Sequence, residues 1–380
     1  MDINTIIRDE WPAVVSMLPA DFEKSARDDL AIQRARKVGD ASTLLRLALI
    51  YATVGGLRVT AALAAQQGIA DISDVALLKR LSEGSNWLAG LPSRLLADRR
   101  QHDPDRCRLN RRIRLVDATC VSRPGSVGID WRAHMGYSLS ECSFDHVEVT
   151  DATGGETLKR IPVERGDIIV GDRGYSHAQG IHTVVSGGGD VIVRMNWYNL
   201  PLTDRDGVPF NIVEHLRTIP VGAVCEWLVS TVAKPAQDLP AIPARLVAVR
   251  KSEASTEEAR RKLRAEARKK GRTPSAQSLE AAAYIFILTT VPAEEMSAEQ
   301  CLEIYRFRWQ IELAFKNLKS VIGLSDMAAK SPKLSVAYIS AILVLAILVD
   351  RMAHAHVDFS PWGYATPQIN LRSAGSKVTA

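Results

Sequence analysis

The stretch that decides the reading is Tyr305-Arg-Phe-Arg308-Trp-Gln-Ile-Glu312-Leu-Ala-Phe-Lys316-Asn-Leu-Lys319. It lies in a helical pattern running without Gly or Pro from about Ser297 to Ile322. At roughly 100° per residue, Tyr305, Arg308, Glu312, Lys316 and Lys319 fall within about 80° of one another. Ile304, Phe307, Ile311, Leu318 and Ile322 gather on a second stripe that would face a core. The helix therefore carries an apolar face and, beside it, a row of one carboxylate, one phenol and three cations. Such a row could place a metal at the acid and phosphates at the cations. The bland alternative is a solvated helix with Arg308–Glu312 and Glu312–Lys316 pairs at i,i+4 spacing.

The spacing Tyr–x2–Arg–x3–Glu–x6–Lys is met by Tyr305, Arg308, Glu312 and Lys319, with Trp309 directly after the arginine. This resembles the signature of the DDE transposases of insertion-sequence family four. The resemblance implies that Glu312 is the third catalytic acid and that Tyr305, Arg308 and Lys319 contact phosphates near a transposon end. Lys316 is taken with them as a DNA contact. Trp309 matches one of the tryptophans with which some members hold a flipped base while sealing a hairpin. Where another member has a Trp on the preceding strand, this chain reads Tyr284-Ile-Phe286, a departure from the hairpin pattern.

Two more acids must then come from elsewhere. From Ile113 the pattern changes from helical to extended. Ile113–Val121, Trp131–Leu139 and Ser143–Thr150 read as a meander of three strands. A short helix over Glu156–Val163, a strand over Asp167–Gly171, a helix over Ser176–Ser186 and a strand over Asp190–Trp197 follow. Asp117, in Arg-Leu-Val-Asp-Ala-Thr, lies on the opening strand, and Asp172, in Ile-Ile-Val-Gly-Asp-Arg-Gly-Tyr, just past the fourth. Each alone reads more readily as a turn residue or cap. Both contexts, and Thr150-Asp-Ala…Gly155-Glu156 between them, resemble the family. The resemblance implies an RNase H-like fold, which the strand order permits and in which the two aspartates lie on adjacent strands. Asp130, Asp145 and Asp151 are read as turn or structural acids.

The expected fold class is α/β: an RNase H-like mixed sheet with helices, interrupted by a β-rich insertion and preceded by an α-helical N-terminal domain. The Asp172-to-Glu312 gap of 140 positions is too long for a direct crossover. Short strands at Val224–Val229 and Leu246–Arg250 and a stronger one at Tyr284–Thr290 fall within it. So does Arg250–Thr273, with ten Lys or Arg and four Glu, a solvated arm or a polyanion contact. The domains are set at 1–104 (helical, DNA-binding), 105–196 (core, first part), 197–290 (insertion), 291–355 (core, second part) and 356–380 (flexible tail).

In the N-terminal part, Ala41–Thr53 is strongly apolar and stops at Gly55-Gly56. Leu57–Ala65 and Asp74–Leu81, the latter capped by Ser73, form a helix–turn–helix pattern with Lys79 and Arg80 on the second helix. That is either an ordinary αα-hairpin or a DNA-reading unit. The family's helical N-terminal region binds terminal inverted repeats, so Lys79 and Arg80 are taken as DNA contacts. Arginines 99, 100, 106, 108, 111, 112 and 114 crowd a stretch containing Asp103-Pro104, read as an exposed linker able to track a phosphate backbone.

Composition agrees with a globular protein: 46% hydrophobic and 24% charged over 380 residues. The net charge of +5 is mild, but its clustering points to local polyanion-binding patches. Five scattered cysteines without a C-x-x-C pair argue against a disulfide framework or zinc site and fit a reducing cytoplasm. The run Val336–Val349, 14 residues, is short for a bilayer and reads as a buried core helix.

Three converging carboxylates repel unless they share a cation. Oxygen ligands without Cys or His select Mg²⁺ or Mn²⁺, and two such ions, held by Asp117, Asp172 and Glu312, can drive in-line displacement at phosphorus. The expected function is a transposase that cuts at the inverted repeats of an insertion sequence and joins 3′-OH ends to target DNA. Its partners would be double-stranded DNA and, in the DNA complex, a second subunit. The expected location is the bacterial cytoplasm at the nucleoid, with no membrane. The alternatives are a metal-dependent nuclease on the same fold and a silent DNA-binding descendant.

Overall fold

The opening strand, β1 (Ile113–Val121), begins with four consecutive buried residues, and the meander continues through β2 (Trp131–Ser138) and β3 (Ser143–Asp151). β2 and β3 pair antiparallel from Trp131↔Asp151 to Ser138↔Ser143, with an irregularity at Gly136/Tyr137. The four-residue run Ile168–Gly171 forms β4, buried throughout, and Asp190–Arg194 forms β5. Such continuous apolar runs are what strands covered on both faces require. The computed structural model describes residues 11–33, 37–102, 111–123, 125–139, 143–308, 329 and 331–356.

These fall into two units, one of residues 1–108, 118–155 and 310–366, the other of 109–117, 156–309 and 367–380. In the second unit the strand order is β1-β4-β5-β9-β8-β7-β6, with β6 at Leu202–Thr203, β7 at Val224–Thr231, β8 at Pro243–Arg250 and β9 at Tyr284–Thr289. β1, β4 and β5 run parallel, and β9 turns antiparallel against β5. The strands expected for an insertion thus continue the same sheet. Between them lie helices α8 (Ile212–Arg217), α9 (Glu253–Lys269) and α10 (Ala276–Ala281). One face of this sheet buries Val116, Ile169, Val191 and Val193 with Ile181 and Val184 of helix α7 (Ala178–Ser186). The helix expected over Glu156–Val163 is only a 3₁₀ turn, Leu158–Arg160, capped by Thr157. Pro162, lacking an N–H, cannot continue it.

The first unit holds β3-β2 with the second half of β1, and helices α1 (Trp11–Ser16), α2 (Phe22–Asp28), α3 (Ala41–Val54), α4 (Leu57–Gln66), α5 (Asp74–Glu83), α6 (Ser85–His102) and α12 (Pro332–His356). Asp40 caps α3 through the Thr43 amide at 2.6 Å, and Gly55 ends it at φ 71°, a conformation that costs a side chain-free residue little. α12 exceeds the apolar run seen in the sequence: Pro332–Met352 has mean hydropathy 2.1 and the length to cross a membrane. Of that window 78% is buried, against α3, α5, α6 and β3. Leu343, Val344, Leu345, Ile347 and Leu348 are each almost fully covered, at about 1.5–3 kcal/mol apiece.

The arginine-rich connection differs from its expected role where it is described. Arg111 bonds Asp190 at 2.5 Å and Glu295 at 2.8 Å, and Arg112 grips Asp167 with two bonds of 2.8 Å. Arg114, fully buried, reaches Asp167 at 3.3 Å and the Pro162 carbonyl. These cations are committed to carboxylates within the fold rather than offered to a phosphate backbone. Among the sequence-stretch acids, Asp130 pairs with Arg123 at 2.7 Å, whereas Asp145 is buried on β3. The tail expected over 356–380 lies outside the described residues, apart from His356.

Candidate active site

Helix α11 (Ala298–Arg306) starts where the sequence indicates. Ser297 accepts from the Gln300 amide at 3.3 Å while Gln300 Oε1 accepts from the Ser297 amide at 2.8 Å, a reciprocal cap. It does not run unbroken to Ile322. Phe307 and Arg308 turn to i→i−3 bonds, to Ile304 and Tyr305, and regular α-helix ends at Arg306. Closely spaced aromatic side chains lose rotamer freedom against the preceding turn, which weakens a helix that contains no Gly or Pro. Trp309, Glu312, Lys316 and Lys319 lie outside the described residues.

The register of the parallel strands organises the site. Ile113 pairs with Ile168 and Leu115 with Val170, while Ile168 pairs with Asp190 and Gly171 with Val193. Asp117, Asp172 and Arg194 each stand four residues beyond the first member of those rows, so all three share one row, which crosses the middle of β1, the position just past β4 and the last residue of β5. Parallel neighbours lie about 4.8 Å apart. By alternation all three point away from the face that buries Val116, Ile169 and Val193. α11 covers their face: the buried Cys301 bonds Thr289, whose partner Ile192 also faces that way, and burial pushes its thiol up to about 11.

Asp172 is held by its own turn. Its Oδ1 accepts from the Gly174 amide at 2.7 Å and caps the 3₁₀ turn Arg173–Tyr175. The turn is closely lined, because a Cβ at 174 would meet the end of the Glu156 side chain and stand 3.1 Å from Asp172 Oδ1. The Glu156 and Asp172 carboxylates therefore flank one point. Tyr305 is 9% exposed, with no hydrogen-bond partner for its hydroxyl among the described residues, and the Arg308 guanidinium lies 5.7 Å from its ring centre. Arg173 lies within electrostatic reach of Tyr305, Asp172 and Arg194. Burial, then Arg194, lowers its pKa from the ordinary value.

The donor set suits a hard cation. Two aspartates at adjacent row positions offer oxygen alone, the chemistry of Mg²⁺ or Mn²⁺. Among the described residues no three metal-ligating side chains cluster, Glu312 being outside them. The second unit thus gathers Asp117, Asp172, Tyr305 and Arg308. It adds Arg173 and Arg194, which sequence reasoning missed although Arg194 sits at the same offset in its strand as each aspartate.

Residues 108–348 match the family described as Transposase DDE domain. The chain belongs to the DDE transposase family. It is 38% identical over 376 residues to the transposase for insertion sequence element IS421 of Escherichia coli, covering 97% of this chain and 98% of that one. The InsL protein of insertion sequence element IS186A in Escherichia coli K12 matches equally, 38% over 375 residues. A more distant relative, the transposase for IS231F of Bacillus thuringiensis subsp. israelensis, is 26% identical over 247 residues, 56% of this chain and 50% of its own. This chain is a DNA transposase of an insertion sequence.

In this transposase Lys79 and Arg80 lie on α5 of the first unit. Both face Glu83, at 3.9 and 3.8 Å, long pairs on a surface where the Lys79 side chain is 76% exposed. With Gln33, Lys37 and Ile72 they line a hollow of about 480 Å³. The helix–turn–helix pattern is present as α4 and α5, Ser73 accepting from the Ala76 amide at 3.3 Å.

Proposed function

We propose that Asp117, Asp172 and Glu312 are the three acids of an RNase H-like site, belonging to insertion-sequence family four, that cuts at terminal inverted repeats and joins 3′-OH ends to target DNA. The observation that carries the reading is the shared row of Asp117, midway along β1, and Asp172, just past the end of the parallel neighbour β4. The parallel order β1-β4-β5 and, in the first unit, the antiparallel pairing of β2 with β3 support the RNase H-like assignment. The domain layout stays as read from the sequence: 1–104 binds end DNA, 105–196 and 291–355 form the core, 197–290 is the insertion and 356–380 a tail. Double-stranded DNA is the partner, two subunits act on it, and the protein works in the cytoplasm at the nucleoid without a membrane.

Asp117, Asp172 and Glu312 would hold two Mg²⁺ or Mn²⁺ ions, which supply an activated water or 3′-hydroxyl and stabilise the leaving oxygen. The chain's own residues supply orientation. Gly174 fixes one oxygen of Asp172, leaving the other directed by its turn. Tyr305 offers a buried hydroxyl, and Arg308 and Lys319 neutralise and align the strand being cut. Lys316 and Trp309 would add further contacts on the same helical stretch, and Lys79 and Arg80 would bind the repeat.

The test is cleavage and joining of a duplex taken from the element's end. Activity is expected to vanish in chelator, return with Mg²⁺ or Mn²⁺, and fail with Ca²⁺, whose looser coordination misplaces the reacting oxygens. Robust turnover in chelator would sink the metal assignment. Cleavage without joined product would reduce the activity to that of a nuclease.

A further inference from the structure

Beside the acid row lie three cations that the chemistry above does not need. Arg173 follows Asp172, Arg194 ends β5, and Lys251 follows β8 at the foot of α9. Lys251 is half-buried, its amine donating to the Ala282 carbonyl at 2.7 Å while its backbone amide bonds Ala283 at 2.9 Å. Burial first, then the charges of Arg194 and Arg173, push its amine down to about 8. The charged groups acting on it are thus two further cations. Acids near the cluster act on Arg173: Asp172 beside it and Glu266 from α9. The side chains of Arg173 and Arg194 make no hydrogen bond or ion pair among the described residues.

Gathering cations without bonded acids, Arg194 and Lys251 half-buried and Arg173 exposed beside them, is unfavourable unless something negative completes the set. The Tyr305 hydroxyl, nine-tenths buried and unpartnered near Arg173, is a second polar group awaiting a ligand. An acceptor-only group beside a phosphoryl-transfer site, contacted by guanidinium, ammonium and phenol, has the chemistry of a phosphate oxygen.

We propose that Lys251, with Arg194 and Arg173, forms an anion subsite that receives a DNA backbone phosphate neighbouring the one being cut. The subsite rests on the transposase reading. It gives the stretch between the second and third acids a direct hold on the substrate strand. It also makes that hold pH-dependent, because the Lys251 amine is charged below about 8 and neutral above.

The experiment measures affinity for a duplex from the end of the encoding element across a salt series, for wild type, Lys251→Gln and Lys251→Arg. Lys251→Gln should weaken binding about tenfold near neutrality and make the salt slope shallower by about 0.9, the loss of one phosphate contact. Wild-type affinity should decline toward that of Lys251→Gln as pH rises through about 8, while Lys251→Arg keeps its affinity. Thermal unfolding separates the alternative that Lys251 merely caps the Ala282 carbonyl. Relief of repulsion should leave Lys251→Gln at least as stable as wild type, whereas a capping role lowers its midpoint and leaves the slope unchanged. Parallel slopes with intact wild-type binding and cutting would overturn the subsite alone. If inorganic phosphate at constant ionic strength raises the wild-type midpoint but not that of Lys251→Gln while slopes stay parallel, the site takes free phosphate and the DNA assignment falls. A wild type that neither binds nor cuts end duplex would sink the transposase chemistry and the subsite together.

Discussion

The two ends of the parallel strands β1, β4 and β5 are both crowded with charge, and they treat it in opposite ways. At the amino ends Arg111, Arg112 and Arg114 meet Asp190, Glu295, Glu164 and Asp167 through bonds of 2.5–3.3 Å. Asp167 also accepts from the Glu164 amide at 2.9 Å. Toward the carboxyl side, where the parallel pairing ends, Asp117 in mid-β1, Asp172 past β4 and Arg194 at the end of β5 stand in a row, with Arg173 and Lys251 alongside and no bonded acid for Arg173 or Arg194 among the described residues. Opposite charges that close on each other hold strands in place. Charges held apart, at the end of a parallel sheet where ligands commonly bind, are left for something that arrives later.

That contrast predicts that changes at the carboxyl ends remove activity and changes at the amino ends remove stability. Asp172→Asn and Asp117→Asn should each cut strand cleavage and joining by about a thousandfold or more, the loss of ~4 kcal/mol of transition-state stabilisation, with end binding and unfolding midpoint nearly unchanged. Glu312→Gln should behave alike. Any of the three that retained a tenth of wild-type cleavage would not be a ligand.

The opposite signature is expected of Asp167→Asn. Removing a carboxylate that is 2% exposed takes the ion-pair partner from the buried Arg114 and one of two from the half-buried Arg112, at about 3–5 kcal/mol. Burial works to raise the Asp167 carboxyl, but the Arg112 hydrogen bond, the Glu164 amide and the charges of Arg112 and Arg114 outweigh it and hold it below the usual range. Its contribution is therefore complete above the unfolded value near 4 and is lost as pH falls through the lower folded value. Urea unfolding from neutral to acid pH should show this loss in wild type and its absence in Asp167→Asn. A variant that lost activity at unchanged stability would erase the distinction between the two ends.

Smaller effects sharpen the comparison. Arg308→Ala removes a cation that lies over Tyr305, so end-DNA affinity should drop about tenfold with a slope shallower by about 0.9. A parallel salt series would return this turn to a structural role. Smallest is Lys79→Ala, which loosens a 3.9 Å surface pair worth under about 1 kcal/mol. If Lys79 binds the repeat, its variant shifts the salt slope by about 0.9 without altering the unfolding midpoint. An unchanged slope would leave α5 as an ordinary hairpin helix.

Local patterns foretold much of this molecule. β1 was legible from the change to an extended pattern at Ile113, α5 from the Ser73 cap, and the start of α11 from the helical pattern that begins at about Ser297. Asp117 and Asp172 stood out as candidates only because their surrounding motifs resemble the family, an apolar run before an Asp being common. What pattern could not carry was register. That Arg194 belongs in their row depends on β4 pairing with β5 at Ile168↔Asp190, a non-local fact with no trace in either strand alone. Lys251 was hidden for the same reason, inside a basic stretch whose charges look alike until one is half-buried against Ala282. The close of α11 at Arg306 was missed because no Gly or Pro marks it.

The long helix α12 bears on how the chain comes into being. It is the last described element to leave the ribosome, yet it fills the centre of a helical unit whose other members, α3, α5 and α6, are made first. Between the end of α6 and Pro332 the ribosome must add roughly 230 residues, about 10–50 s of synthesis. For that interval α3, α5 and α6 lack the apolar helix they pack against. A chain stopped before Pro332 is expected to leave those faces uncovered, which faster proteolysis of such a fragment would register.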